Sequence, residues 1–147
     1  MMMSDDTILV ITRAFEAVPD RVFDAWLTRE EWQCWIGPEG VDCDIHLLEP
    51  RVGGSYRLTM HVGGQPPIAV AGVFKVIDRP RLLSFTWGAA DDPARQSLVT
   101  LTFLELNGKT EMTLRQEGLG SAANREQFGR GWNSALNKLD RYLEHNR

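Results

Sequence analysis

The feature that most constrains the fold is a run of six segments, between residues 41 and 116, in which apolar and polar residues alternate. A period of two places successive side chains on opposite faces of a β-strand. Turn residues separate the segments, and Asn107-Gly108 predicts a type I′ hairpin because both central positions of that turn need positive φ. The sequence therefore predicts an antiparallel meander. Its strands are Val41–Leu48, Ser55–Val62, Ile68–Ile77, Leu82–Trp87, Ser97–Leu106 and Thr110–Gln116.

A strand and two short helices precede the meander. The β-branched and apolar run Thr7–Phe15 predicts the strand. Pro19 suits the first turn of a helix. Thr28–Glu31 has the pattern of a capping box and predicts the start of a second helix, which Gly37-Pro38 ends.

The last segment, Ser121–His145, predicts one long amphipathic helix. Its apolar side chains fall within an arc of roughly 120° on a helical wheel, the width expected for a helix lying on a core. They are Tyr142, Ala135, Phe128, Leu139, Trp132, Leu143 and Leu136. Gly129 and Gly131 reduce helix propensity, and either close backbone approach or simple tolerance explains them. We therefore predict an α+β fold: a seven-stranded curved antiparallel sheet, two short helices after strand 1, and a long C-terminal helix.

Composition limits the classes of protein. A chain of 147 residues with 43% hydrophobic content predicts a single domain over residues 1–147. The net charge of −4 and the scattered Lys and Arg argue against a nucleic-acid partner. The sequence has no secretion signal and no long apolar run, so we expect a cytoplasmic protein with no membrane partner. Cys34 and Cys43 are too few for a disulfide framework and are predicted to be buried free thiols.

Catalytic and metal-binding patterns are weak. Asp42, Asp44 and His46 share one face of a predicted strand, which makes a metal site conceivable. Outward-facing polar alternation explains the same residues, so we predict neither a metal nor a cofactor. A nucleophile paired with a base is not visible in the sequence, and whether the protein is an enzyme stays open.

The predicted inner face of the sheet is apolar except at one position. Met112 and Leu114 share their face with Gln116. A buried amide needs hydrogen-bond partners, so Gln116 either bonds to the backbone at the strand end or awaits a ligand. Five tryptophans add to this interior, and both core packing and pocket lining account for them.

A set of motifs runs in order over nearly the whole chain: Ile11–Phe15 with Ala17 and Pro19, Val22–Trp26, Trp35–Pro38, Gly53–Tyr56 with Met60, Pro80–Phe85, Val99–Phe103, and Gly131-Trp132 before Leu136, Leu139 and Leu143. Together these motifs resemble the Aha1-like (activator of Hsp90 ATPase homologue 1-like) group of the START/Bet v 1-like (SRPBCC) superfamily. The resemblance implies a helix-grip fold that encloses a hydrophobic cavity between the sheet and the last helix. Members bind lipids, sterols or polyketides, or catalyse cyclisation.

We therefore expect a small apolar ligand in that cavity. The residues expected to line it are Trp35, Tyr56, Met60, Trp87, Gln116, Phe128 and Trp132. The alternatives are a cyclase or hydrolase that uses the same cavity and a protein-interaction module. Eukaryotic Aha1 proteins stimulate the Hsp90 ATPase but carry an additional N-terminal domain, so the resemblance does not favour a chaperone partner. A homodimer formed through an edge strand is left open.

Overall fold

Residues 7–145 are described by a computed structural model, in which they form seven strands and three helices in the predicted order. The strands are β1 (Ile8–Phe15), β2 (Asp42–Leu48), β3 (Ser55–His61), β4 (Ile68–Asp78), β5 (Leu82–Ala89), β6 (Ser97–Leu106) and β7 (Lys109–Glu117). The helices are α1 (Pro19–Leu27), α2 (Arg29–Trp35) and α3 (Ala122–His145).

The strands form one antiparallel sheet in the order β1-β7-β6-β5-β4-β3-β2. Strands β2 to β7 follow one another as the predicted meander, and β1 joins it at the far side of β7. Register shifts interrupt the β2–β3 pairing between Ile45 and Leu47 and the β4–β5 pairing between Phe74 and Val76. The predicted α+β fold, with a curved seven-stranded sheet and a long C-terminal helix, is confirmed.

The Asn107-Gly108 turn has the predicted backbone. Asn107 has a φ of 56° and Gly108 a φ of 80°, the positive values that a type I′ hairpin requires. The turn joins β6 to β7 with Leu106 opposite Lys109. This register places Leu101 opposite Leu114 on the inner face of the sheet.

The core lies between the concave face of the sheet and the helices. The second half of α3 contributes Trp132, Ala135, Leu136, Leu139 and Leu143, all of which are buried. The inward rows of β5, β6 and β7 meet this half. Their buried members are Leu83, Phe85, Trp87, Val99, Leu101, Phe103, Met112 and Leu114.

Two local predictions are wrong. Thr28 precedes α2 as predicted, but its hydroxyl donates to the Asp24 carbonyl at 2.8 Å and makes no capping bond. Cys34 is exposed, and only Cys43 is buried. On α2 the buried residues are Trp32 and Trp35, three apart, so Cys34 falls on the side that faces solvent.

Candidate ligand-binding site

A chain of buried hydrogen bonds ties α3 to the sheet through Gln116. The Trp132 indole N–H donates to Gln116 Oε1 at 2.8 Å, and Gln116 Nε2 donates to Ser97 Oγ at 2.8 Å. The Ser97 hydroxyl in turn donates to the Trp87 carbonyl at 2.7 Å. Gln116 is fully buried, and its partners are side chains from β6 and α3. Neither the backbone bond nor the waiting ligand accounts for it in this structure.

Aromatic rings pack against one another along the inner face. The ring centroids of Trp87 and Trp132 are 5.1 Å apart, and those of Tyr56 and Trp87 are 6.0 Å apart. Trp26 continues the cluster, with its centroid 5.8 Å from that of Trp132 and 4.6 Å from that of Trp35. Within residues 7–145, side chains thus occupy the space where the sequence predicted a cavity.

The absence of a side chain at Gly72 makes room for the Tyr56 ring on the sheet. The Tyr56 hydroxyl donates to the Thr86 carbonyl, and its ring lies against Gly72, the residue opposite it on β4. A Cβ at Gly72 would lie 2.0 Å from the Thr86 oxygen and 2.6 Å from the Tyr56 ring. Burial raises the pKa of Tyr56 well above its ordinary value, so this hydroxyl is a hydrogen-bond donor and not a base at neutral pH.

The tryptophans of α1 and α2 differ in whether their indole N–H groups have a hydrogen-bond partner. Trp35 is fully buried, and its indole N–H donates to the Ala25 carbonyl at 3.0 Å. The indole N–H groups of Trp26 and Trp32 are buried and have no hydrogen-bond partner among the described residues. Both rings instead make edge contacts with other aromatics, such as Trp32 with Tyr56. The hydrogen bond from Trp35 to Ala25 therefore links α2 to α1.

An open cleft of about 470 Å³ lies between the end of β5, the start of β6 and the start of α3. Trp87 and Phe128 form its aromatic walls. The cleft is lined by Trp87, Gly88, Ala89, Ala94, Arg95, Gln96, Ser97, Gly118, Leu119, Gly120, Asn124 and Phe128. The Trp132 ring packs against that of Trp87 with the two ring planes tilted by 56°. A second open cleft, of about 480 Å³, is lined by Ile8, Leu9, Val10, Arg115 and Arg125, on β1, β7 and the start of α3.

The seven predicted ligand-contacting residues do not share one pocket in this structure. Trp87 and Phe128 line the 470 Å³ cleft. Gln116 and Trp132 lie behind it, joined by their hydrogen bond. Met60 sits on β3 between Cys43 and Ile68, partly buried and away from the cleft. Tyr56 and Trp35 are buried within the aromatic core.

Sequence reasoning missed the residues that connect β7 to α3. Leu119 is buried between Gly118 and Gly120, which have φ values of 84° and 86°. The Asn124 side chain donates to the Leu119 carbonyl at 2.8 Å and fixes this connection against the first turn of α3. The Gly-Leu-Gly pattern just before a helix was the available signal, because it marks a turn that holds one apolar side chain inward.

Asp44 and His46, two of the residues considered for a metal site, pair with side chains of β3 on the outer face. His61 lies 2.9 Å from Asp44, and His46 lies 2.8 Å from the Thr59 hydroxyl. Within residues 7–145, no three His, Cys, Asp or Glu side chains are grouped closely enough to hold a metal ion. These residues serve as cross-strand pairs on β2 and β3.

A sequence profile decides the family of this chain. The profile described as "Activator of Hsp90 ATPase homolog 1-like protein" matches residues 16–144. The chain belongs to this family. Solved structures of similar proteins share its fold. The AHSA1 protein from Silicibacter pomeroyi is 27% identical, with a TM-score of 0.82 over 95% of this chain and 99% of its own. A protein from Chromobacterium violaceum is 24% identical, with a TM-score of 0.84 over 92% of this chain and 96% of its own.

A further solved structure shows a similarity of fold alone, and one comparison found no similar protein. A protein from Arthrobacter aurescens has a TM-score of 0.85 at 22% identity, over 96% of this chain and 88% of its own. The comparison with curated proteins found no match. None of the helices in the described part of this AHSA1-like chain is both long and apolar enough to cross a bilayer.

Proposed function

We propose that this AHSA1-like protein binds a small hydrophobic molecule, such as a lipid, a polyketide or an aromatic metabolite, at the start of α3. One observation carries the proposal: the open cleft has Trp87 and Phe128 as walls and the buried Trp132–Gln116 pair behind it. Its volume of about 470 Å³ falls within the range of small-molecule sites. The cytoplasm is the compartment we propose for this binding.

The lining of the cleft indicates how such a ligand is held. Trp87 and Phe128 offer ring faces and edges to a flat apolar body. Arg95, Gln96, Ser97 and Asn124 add polar groups to the lining. Aromatic walls with several polar groups beside them suit a ligand that has an apolar body and a polar end.

The packed interior sets the depth to which a ligand can enter. Trp132 is 4% exposed, and its ring fills the space next to Trp87. A ligand larger than the cleft must displace Trp132 or Phe128 from the inner face. We therefore expect small ligands to bind in the cleft without rearrangement and longer ones to bind with movement of α3.

Tryptophan fluorescence tests the proposal, because Trp87 lies in the wall. The protein is titrated with 1-anilinonaphthalene-8-sulfonate, a long-chain fatty acid and a planar polyphenol. We expect saturable quenching by at least one of them. The variant Phe128→Ala should weaken binding by roughly tenfold, the effect of removing one aromatic wall. Leu104→Ala is the matched control, since Leu104 is exposed on the opposite face of the sheet and its loss should leave affinity unchanged. Equal affinities of the two variants, or no saturable quenching, would contradict the proposal.

A further inference from the structure

The two edges of the sheet differ in how well they are protected against another strand. Within residues 7–145, β1 pairs only with β7 and β2 only with β3, so each has one side without a partner strand. On β2, Asp42, Asp44 and His46 are exposed, and a register shift follows Ile45. Ionisable side chains and bulges are common ways of protecting a sheet edge. The edge at β2 is therefore protected.

The start of β1 lacks both kinds of protection. Residues 8–12, Ile-Leu-Val-Ile-Thr, are apolar or β-branched and carry no charge. They pair with β7 without a register shift. The first charged residue of the strand, Arg13, is directed to α3, where it donates to Asn137 Oδ1 at 2.8 Å. A regular and uncharged edge of this kind is a template for an added strand.

The 480 Å³ cleft follows this edge. Three successive residues, Ile8, Leu9 and Val10, line it. Successive side chains of a strand point to opposite faces of the sheet, so a cleft lined by all three runs along the backbone and not over one face. Val10 is 55% exposed, whereas Leu9 packs under α3, where a Cβ at Gly129 would lie 3.4 Å from Leu9 Cδ1. The cleft therefore lies beside the unpaired side of β1.

Two arginines reach this cleft from opposite faces of the sheet. Arg115 lies opposite Val10 on β7, so the two side chains share the outer face. Arg125 is one helical turn before Gly129 on α3 and on the same side of the helix. This position places Arg125 over the inner face, the one that Leu9 takes. A guanidinium group thus flanks the edge on each side.

The charge of this cleft favours an acidic partner. Among the described residues, no acidic side chain lines it. Glu117 lies 3.5 Å from Arg115, but both side chains are nearly half exposed, and an ion pair of this kind is weak. A second copy of the chain, added edge to edge at β1, would bring the arginines of both copies together. Like charges disfavour that pairing and leave the edge to a segment of opposite charge.

We propose that the edge of β1 from Ile8 to Thr12 is a docking site for an extended segment of another protein that carries two acidic residues in succession. The segment would add a strand to the sheet through backbone hydrogen bonds. Its two acidic side chains, being adjacent, would point to opposite faces, one towards Arg115 and the other towards Arg125. None of the residues that line the 470 Å³ cleft belongs to this site, so the docking holds with or without the proposed ligand.

Fluorescence anisotropy with a labelled peptide tests the docking. The probe is fluorescein-Thr-Val-Thr-Glu-Asp-Val-Thr-Val, and the comparison peptide has Gln-Asn in place of Glu-Asp. We expect saturable binding of the probe and roughly tenfold weaker binding of the comparison peptide, the effect of losing two exposed ion pairs. A peptide with Glu-Val-Asp at the centre places both acids on one face and should bind roughly threefold more weakly than the probe. No saturable binding, or equal affinity for all three peptides, would overturn the proposal.

Variants of the chain test the two arginines. Arg115→Gln and Arg125→Gln should each weaken probe binding by roughly threefold, the effect of one exposed ion pair. Arg57→Gln is the matched control, because it removes the same charge from an exposed position on β3, which four strands separate from β1. Its affinity should stay within about 1.5-fold of the wild type, since salt screens charges at that distance. Equal losses in the three variants would show attraction by overall charge and would overturn the site.

Backbone pairing is tested with N-methylated probes. In an extended strand the N–H groups of alternate residues point to the same edge. Of two probes methylated at odd or at even positions, one should keep the affinity of the probe and the other should lose roughly tenfold or more, because only one set of N–H groups faces β1. Similar affinities of the two would overturn strand addition.

Sedimentation of the protein alone tests the choice of partner. We expect a monomer, because the arginines disfavour pairing of two β1 edges. A dimer that the probe dissociates would show that a second copy occupies this edge and would overturn a different protein as the partner.

Discussion

The Trp132 indole N–H and the Gln116 Oε1 atom are joined by a buried hydrogen bond of 2.8 Å that connects the C-terminal helix to the seventh strand. Gln116 also donates to Ser97, so the amide links three elements of the chain. A buried amide with partners on both sides stabilises one position of the helix on the sheet. The bond therefore sets where α3 lies over the aromatic cluster.

Gln116→Met should destabilise the protein by about 1–3 kcal/mol, because it leaves the Trp132 N–H buried without an acceptor. Trp132→Phe should also destabilise, since it leaves Gln116 Oε1 without its donor. Urea unfolding of both variants and of the double variant measures the coupling. We expect the double variant to lose less than the sum of the two single losses, by about 1 kcal/mol. Strict additivity would contradict the linkage.

Gly72→Ala should destabilise the protein by about 3 kcal/mol or more, because the new methyl group would overlap a backbone carbonyl and a fixed ring. The added Cβ would lie 2.0 Å from the Thr86 oxygen and 2.6 Å from the Tyr56 ring. Gly63→Ala is the control, since a Cβ there meets nothing within 4 Å and should change stability by less than about 0.5 kcal/mol. Thermal unfolding of the two variants measures the difference, and similar losses in both would contradict the predicted overlap.

The two cysteines should differ in reactivity towards a thiol reagent. Cys34 is exposed and should react in the native protein, whereas Cys43 is buried and should react only after unfolding. Titration with an aromatic disulfide reagent, before and after addition of guanidinium, counts the two groups. Cys34→Ala should remove the native reaction and leave the second. Rapid native labelling of Cys43 would show that the edge of the sheet opens.

Stability should fall as pH rises above about 8.5, the ordinary pKa of a thiol. Burial raises the pKa of Cys43 to about 11. The folded chain therefore keeps this proton over a range in which the unfolded chain releases it, so unfolding is favoured as pH rises through that range. Tyr56, whose pKa is also raised by burial, adds to the decline at higher pH. Urea unfolding between pH 8 and 10.5 should show a shallower decline for Cys43→Ala, and an equal slope would assign the effect to other groups.

Much of the fold follows from local signals in the sequence. Asn107-Gly108 has the backbone of its turn type, and Ser97–Leu106 is a strand with the bounds that alternation predicted. The partners of Gln116 could not be predicted in this way. Ser97 and Trp132 reach it from distant parts of the chain, and their meeting depends on sheet register and on the position of α3. Strand alternation says which face a side chain takes and not which neighbours fill the space beside it.

At the candidate site, too, sequence patterns predict which face a side chain takes but not which neighbours it meets. Trp87 and Phe128 were expected to line an interior cavity, whereas in the structure they line an open cleft. The filled interior was not predicted, because ring packing depends on contacts such as that of Trp26 with Trp35 between neighbouring helices. Helix patterns also misassigned Thr28, whose hydroxyl had a competing acceptor at Asp24. A family resemblance predicts the fold but not whether side chains fill its interior.

The pairing of β1 with β7 has a consequence for how the chain is made. Phe15 lies opposite Thr110, so β1 leaves the ribosome long before its partner exists. Until β7 emerges, β1 exposes an unpaired edge and the β6 edge is also open, which favours association between nascent chains. Pairing so distant in sequence also slows folding. Productive synthesis of this domain therefore depends on keeping the first strand shielded until the last hairpin has closed.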